Sequence, residues 1–120
     1  MGFLSYVLVF IGGGIGSALR FLLAKSIVFQ PSHFPWATLL SNVLATFILA
    51  LVLYFFKDAA KWPTLAPLVV VGFCGGFSTF STFSYENYLL LQQGQLVIFL
   101  LNVLVSLGFG LLGFWFLARS

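Results

Sequence analysis

The sequence predicts an all-α membrane protein with four transmembrane helices in each chain. Its 120 residues are 62% hydrophobic and 6% charged, with a mean hydropathy of +1.16, which leaves too little polar surface for a water-soluble globule. Apolar runs of about 20 residues, long enough to cross a bilayer, recur along the chain. The spans are expected at 3–24, 36–56, 65–92 and 95–118, in a single domain covering residues 1–120.

The charged and reactive side chains exclude several classes of function. Five basic and two acidic residues give a formal net charge of +3, too sparse to neutralise a run of phosphates. Nucleic acid is therefore not an expected partner. The chain has one histidine, one cysteine and two acidic residues, and no two of them form a metal-ligating or nucleophile–base spacing on a predicted helix face. No enzymatic function is expected.

The first span combines closely spaced glycines with a basic residue. Small residues recur four apart, as in Gly12/Gly16 and Gly13/Ser17, a spacing that lets helices pack closely in lipid. The run lacks the basic start of a secretory signal peptide, and Arg20 stands where a small-residue cleavage site would be expected. A permanent membrane span is therefore expected.

Two polar seams lie within the second and fourth spans. Asn42 shares one helix face with Thr38 and Thr46, and Asn102 is followed four residues later by Ser106. A carboxamide inside a membrane needs partners for its donors and its acceptor. Hydrogen bonding between helices, at about 1 kcal/mol per contact, and a hydrated pathway both explain such seams.

The third span contains the stretch "GFCGGFSTFSTFSYE", residues 72–86, which differs from the rest of the chain. Gly72, Gly75 and Gly76 weaken helix continuity. Backbone groups freed at membrane depth are tolerated only where protein, water or an ion meets them. A broken helix is therefore expected near Gly75–Ser78.

Aromatic and hydroxyl side chains alternate after the predicted break. They fall at helical neighbour spacings and are Phe80, Ser81, Thr82, Phe83 and Ser84. Helix packing alone explains a stripe of phenylalanines, but the combination with hydroxyl groups suits a site for a small ion. Glu86 is the acidic residue within a span, and an ion path and an interfacial carboxylate both fit its position.

The basic residues are almost evenly divided between the two membrane faces. Lys57, Lys61 and Arg119 are expected on one side, and Arg20 and Lys25 on the other. Because basic residues fix orientation, the chain is either weakly oriented or inserts both ways and pairs with an inverted copy. Four short helices enclose little interior, so an assembly is expected.

At these residues the sequence resembles the Fluc family of fluoride channels, also called CrcB. The resemblance covers nearly the whole chain and is carried by "GGGIGSALRF", "TLLSNVLATF" and above all "GFCGGFSTFSTFS". It implies an antiparallel, dual-topology homodimer with two fluoride pores and a structural Na+ at the dimer interface. It also implies passive export of cytoplasmic fluoride across the bacterial inner membrane.

The resemblance also implies roles for individual residues. The residues matched to the fluoride pore are Asn42, Phe80, Ser81, Thr82, Phe83 and Ser106. Those given a vestibule or structural role are Arg20, Ser84 and Glu86. Gly75 and Ser78 match the positions whose backbone carbonyls hold Na+. This chain departs from the family pattern at Ser78, where threonine is usual, at Ala45, where glycine is frequent, and at Asn102, where some members have tyrosine.

Two other functions remain open at this point. A small dual-topology, proton-coupled multidrug exporter would need a carboxylate within the membrane, and Glu86 is the candidate. In a non-transporting assembly subunit, all of these polar residues would serve only to hydrogen-bond neighbouring helices. The first alternative predicts drug exchange that depends on Glu86, and the second predicts no flux.

Overall fold

The computed structural model describes residues 2–30 and 33–118 as a bundle of long helices. Four helical stretches are long and apolar enough to cross a membrane: Phe3–Ser26, Trp36–Phe56, Trp62–Gln92 and Leu96–Leu117. They confirm the predicted all-α class with four spans. The protein is a multi-pass membrane protein. Arg119, used in the charge comparison, lies outside the described residues.

The third span is the only one of the four that is divided into shorter elements within the described residues. We label the helices α1 (Phe3–Ser26), α2 (Trp36–Phe56), α3 (Trp62–Leu65), α4 (Gly75–Phe77), α5 (Phe80–Gln92) and α6 (Leu96–Ala118). A π-helical segment, Ala66–Cys74, joins α3 to α4. It begins one residue before Pro67, which has no amide to donate to the preceding turn.

Helix α1 lies directly against the first half of the third span, and glycines make this approach possible. A Cβ atom at Gly12 would overlap the carbonyl oxygen of Leu68, and one at Gly16 would overlap that of Phe73. On the opposite side, a Cβ atom at Gly76 would overlap the backbone of Gly13. The predicted packing role is confirmed for Gly12 and Gly16, whereas a Cβ atom at Gly14 would meet nothing within 4 Å.

The third span breaks at Ser78 and Thr79, and the cause predicted from the glycines is wrong. Gly75 and Gly76 belong to α4, and Gly75 has helical dihedral angles (φ −65°, ψ −36°). Ser78 (φ −85°, ψ 159°) and Thr79 (φ −154°, ψ 120°) are extended. Gly76 therefore packs closely against α1, and Gly75 faces open space. The break begins at Ser78, the last residue of the region in which it was predicted.

A tight turn connects α5 to α6. Gly94 has a φ of 72°, in the left-handed region that favours glycine. The Gln95 amide donates to the Leu90 carbonyl at 2.8 Å, and the Gly94 amide donates to the Leu91 carbonyl at 3.1 Å. These are the two hydrogen bonds of a Schellman motif, which ends α5 and turns the chain back into α6.

Little of the bundle is buried within one chain. The buried apolar cluster consists of Ala45, Cys74 and Phe77, and Cys74 is a free thiol packed as a small apolar residue. Large apolar side chains are exposed along every span, as a lipid-facing or partner-facing surface requires.

Candidate functional site

Asn42 on α2 holds the break in the third span. The Thr79 amide donates to Asn42 Oδ1 at 2.8 Å, and Asn42 Nδ2 donates to the Thr79 carbonyl at 3.4 Å. Both ends of one carboxamide therefore bind the backbone of one extended residue. Asn42 supplies the partners that a continuous helix would have given to Thr79, which is the condition for irregular backbone at membrane depth.

Thr79 also starts the next helix. It is the N-cap of α5, and its Oγ1 accepts a hydrogen bond from the Thr82 amide at 3.2 Å. The same oxygen lies 3.4 Å from Ser81 Oγ. Thr79 is absent from the residues predicted for the site, although a threonine just before a helical run is a common N-cap signal.

Two carbonyl groups just before the break accept hydrogen bonds from side chains. Ser78 donates to the Cys74 carbonyl from both its amide, at 3.0 Å, and its hydroxyl, at 2.7 Å. Arg20 Nε donates to the Gly76 carbonyl at 3.1 Å. Because Ser78 is extended, the Thr79 amide points to Asn42 and not to the Gly75 carbonyl one turn earlier.

A cleft of about 300 Å³ opens beside the break. Its lining residues are Asn42, Thr46, Ser78, Thr79, Phe80, Phe83, Ser106 and Leu107. Four residues matched to the pore thus come together from α2, α5 and α6. The Phe80 and Phe83 ring centroids are 6.3 Å apart, with an interplanar angle of 37°. Helical spacing brings the two rings to one face, and the break exposes that face to the cleft.

The hydroxyl groups of this cleft differ in their availability. Thr46 Oγ1 donates to the Asn42 carbonyl within α2 at 2.8 Å, so its proton is engaged by its own helix. Ser106 Oγ donates to the Asn102 side-chain oxygen at 3.3 Å, a longer contact to a side chain. Ser106 is therefore the hydroxyl more easily turned toward a ligand.

The other hydroxyl residues matched to the pore or its vestibule lie outside this cleft. Thr82 lines a separate polar pocket of about 40 Å³, which also contains Arg20, Thr38, Ser41, Thr79 and Glu86. Ser81 is exposed near Thr79, and Ser84 is exposed on the same helix. The structure thus divides the matched hydroxyl residues between the cleft, the small pocket and the surface of the chain.

Glu86 is an acidic residue in an enclosed position. Its side chain is 7% exposed, and its Oε1 is buried without a hydrogen-bond partner among the described residues. The placement does not fit an interfacial carboxylate turned toward water. A buried polar atom without a partner is costly.

Side chains that commonly bind metals are not clustered. Among the described residues, no three His, Cys, Asp or Glu side chains are close enough to hold a metal ion. Gly75 is exposed, and nothing lies within 4 Å of the position of a Cβ atom on it, so its side of α4 is open.

Known proteins resemble this chain over most of its length. The family model described as CrcB-like protein, Camphor Resistance (CrcB), matches residues 7–117. A protein of Yersinia pestis named fluoride-specific ion channel FluC 1 is 42% identical, with 88% of this chain and 87% of the relative covered. A protein of Escherichia coli O17:K52:H18 named fluoride-specific ion channel FluC is 44% identical, with 93% and 92% covered.

A relative from a third organism has a similar identity. A protein of Leptospira interrogans, also named fluoride-specific ion channel FluC, is 39% identical, with 92% of each chain covered. These relatives are named as ion channels and not as enzymes, in agreement with the sequence expectation.

Proposed function

The chain belongs to the CrcB-like family, and from this premise we propose that it is a fluoride-selective ion channel of the bacterial plasma membrane. It exports cytoplasmic fluoride by passive electrodiffusion and so confers fluoride resistance. The names of its relatives support the substrate. The observation that carries the proposal is the cleft that joins Asn42, Phe80, Phe83 and Ser106.

The chemistry of the cleft suits a small, strongly hydrated anion. Selective conduction requires that groups of the protein replace the water around the ion. Asn42 keeps an amide donor whose contact with Thr79 is long, at 3.4 Å, and Ser106 has a hydroxyl. The edges of the Phe80 and Phe83 rings carry partial positive charge. These groups offer donors and ring edges without a fixed positive charge that would trap the ion.

A second group of residues extends the path of the ion from the cleft along α5. Ser81 and Thr82 follow the cleft with further hydroxyl groups, and Thr82 reaches the pocket that contains Arg20 and Glu86. Arg20, Ser84 and Glu86 form a vestibule or support its walls. The hydroxyl groups pass the ion between the cleft and this pocket.

The channel works as an antiparallel, dual-topology homodimer with two pores. Phe80 is 80% exposed in a single chain although it lines the cleft. A cleft with such an open wall does not enclose an ion, and a second copy would complete it. The nearly even division of basic residues expected between the membrane faces agrees with insertion in both orientations.

A structural Na+ would be held at the dimer interface by the carbonyls of Gly75 and Ser78. The fit rests on the break: the Gly75 carbonyl lacks the Thr79 amide as a helical partner, and Ser78 is extended. Oxygen atoms are suitable ligands for a hard cation, and carbonyl groups bind it without a side-chain charge. A bound cation would neutralise the negative ends of these dipoles and hold the two copies together.

The decisive test uses purified protein in liposomes loaded with fluoride and followed with a fluoride electrode. We expect fluoride efflux down its gradient when the membrane potential is short-circuited, without coupled proton movement. Exchange of cationic drugs that depends on Glu86 would favour the exporter. Absence of any flux would favour a non-transporting subunit and overturn the channel proposal.

A further inference from the structure

A chain of three side chains connects α5 to α6 and ends at the cleft. Asn102 Nδ2 donates to Asn87 Oδ1 at 2.7 Å, and Ser106 Oγ donates to Asn102 Oδ1 at 3.3 Å. Asn102 is 1% exposed and Asn87 6% exposed. The two carboxamides therefore depend on each other and on Ser106 for hydrogen bonds.

The direction of these hydrogen bonds decides what Ser106 presents to the cleft. A serine hydroxyl has one proton and two lone pairs. Where Ser106 donates to Asn102, its proton points away from the cleft and only lone pairs remain for a ligand. Lone pairs repel an anion, so this arrangement belongs to a cleft without one.

The same positions of the heavy atoms permit the opposite direction. The oxygen and nitrogen ends of a carboxamide have almost the same shape, so turning the group over exchanges donor and acceptor with little movement. If both carboxamides turn over, Asn87 donates to Asn102 and Asn102 donates to Ser106 Oγ. The Ser106 proton is then free to point into the cleft.

We propose that Asn102 and Asn87 are positioning residues for Ser106. They let the Ser106 hydroxyl turn its proton, in place of its lone pairs, toward the cleft when an anion enters. The inference rests on the proposed fluoride channel and concerns the same site. An anion binds the donor arrangement more strongly and therefore selects it. Reversal keeps the hydrogen bonds along the chain, and donation to Ser106 Oγ strengthens its own donation to the ion.

Without the Asn102 side chain, Ser106 has a different partner. A serine within a helix commonly donates to the carbonyl one turn earlier in its own helix. Its proton would then be held by the backbone, as that of Thr46 is held by the Asn42 carbonyl. Ser106 would remain in the cleft as a weaker donor.

The test is a double-mutant cycle on fluoride flux from liposomes. We expect Asn102→Leu to lower the flux about fivefold, which equals about 1 kcal/mol at 1.4 kcal/mol per tenfold change. We expect Asn102→Leu to have no further effect in a Ser106→Ala background, because its effect passes through the Ser106 hydroxyl. Fluoride currents in planar bilayers extend the comparison to slow variants.

A second variant controls for loss of flux caused by misfolding. Asn102→Leu leaves Asn87 without its buried partner, whereas Asn87→Leu/Asn102→Leu replaces both polar groups and carries the same expectation. If the wild type conducts fluoride and these variants match it, the positioning role is wrong. The role is also wrong if either variant lowers flux equally with and without Ser106. A wild type that does not conduct overturns the channel proposal itself.

Discussion

Two substitutions of Asn42 separate the support of the helix break from ion conduction. Asn42→Leu removes both hydrogen bonds to Thr79, at 2.8 and 3.4 Å, and leaves the Thr79 amide without its partner. Leaving such a group unpaired costs about 1–3 kcal/mol. Asn42→Asp keeps an oxygen for the shorter bond, and a protonated aspartic acid can donate to the Thr79 carbonyl in place of the amide, so we expect a smaller loss, below about 1 kcal/mol.

The two variants are expected to differ in stability and to agree in function. Thermal unfolding of the detergent-solubilised protein should place Asn42→Asp close to the wild type and Asn42→Leu clearly below it. Fluoride flux should be lost in both, because leucine has no donor, the single proton of a neutral aspartic acid is taken by the Thr79 carbonyl, and an ionised aspartate repels the anion. An Asn42→Asp protein that conducts like the wild type would refute the donor role, and an Asn42→Leu protein as stable as the wild type would refute the support of the break.

Three further predictions concern the rings and the glycines. Phe80→Ile and Phe83→Ile should each suppress fluoride flux while size-exclusion chromatography still shows a folded protein, because isoleucine removes the ring edge but keeps much of the bulk; normal flux in both would contradict the aromatic path. Gly16→Ala should destabilise the protein by several kcal/mol in thermal unfolding, because its Cβ would overlap a backbone oxygen of the third span. The control Gly14→Ala adds a Cβ that meets nothing within 4 Å and should be neutral. Equal effects of the two substitutions would contradict the close packing. Gly75→Val should leave the single chain folded but weaken dimerisation in Na+. The dimerisation of the variant and of the wild type is compared in Na+ and in a large organic cation. A wild-type dimer that is equally stable in both would contradict the carbonyl Na+ site.

The helices and much of the cleft could be predicted from the sequence because they depend on local patterns. Hydrophobic length identifies each span, and helical spacing brings Phe80 near Phe83 and Asn102 near Ser106. The resemblance matched Asn42, Phe80, Phe83 and Ser106 to one pore, and these four residues do line one cleft. Their role in conduction remains a prediction.

The cause of the helix break could not be predicted in the same way. The glycines suggested local flexibility, but the surroundings of Gly72 and Gly76 include backbone atoms of α1, far away along the chain. The hydrogen bonds that hold Thr79 come from Asn42, 37 residues earlier. The pairing of Asn87 with Asn102 likewise requires α5 and α6 to be placed side by side. Such contacts depend on tertiary structure, which helix periodicity does not specify.

The Schellman turn at Gly94 sets the rotational alignment of two helices that carry different parts of the cleft. Only residues 93–95 separate α5 from α6, and hydrogen bonds engage both Gly94 and Gln95. One inserted residue would rotate all of α6 by about 100° relative to α5, since an α-helix has 3.6 residues per turn. Asn102 would then face away from Asn87, and Ser106 would leave the cleft. The length of this short connection is therefore as specific a requirement for the site as the identity of the side chains that line it.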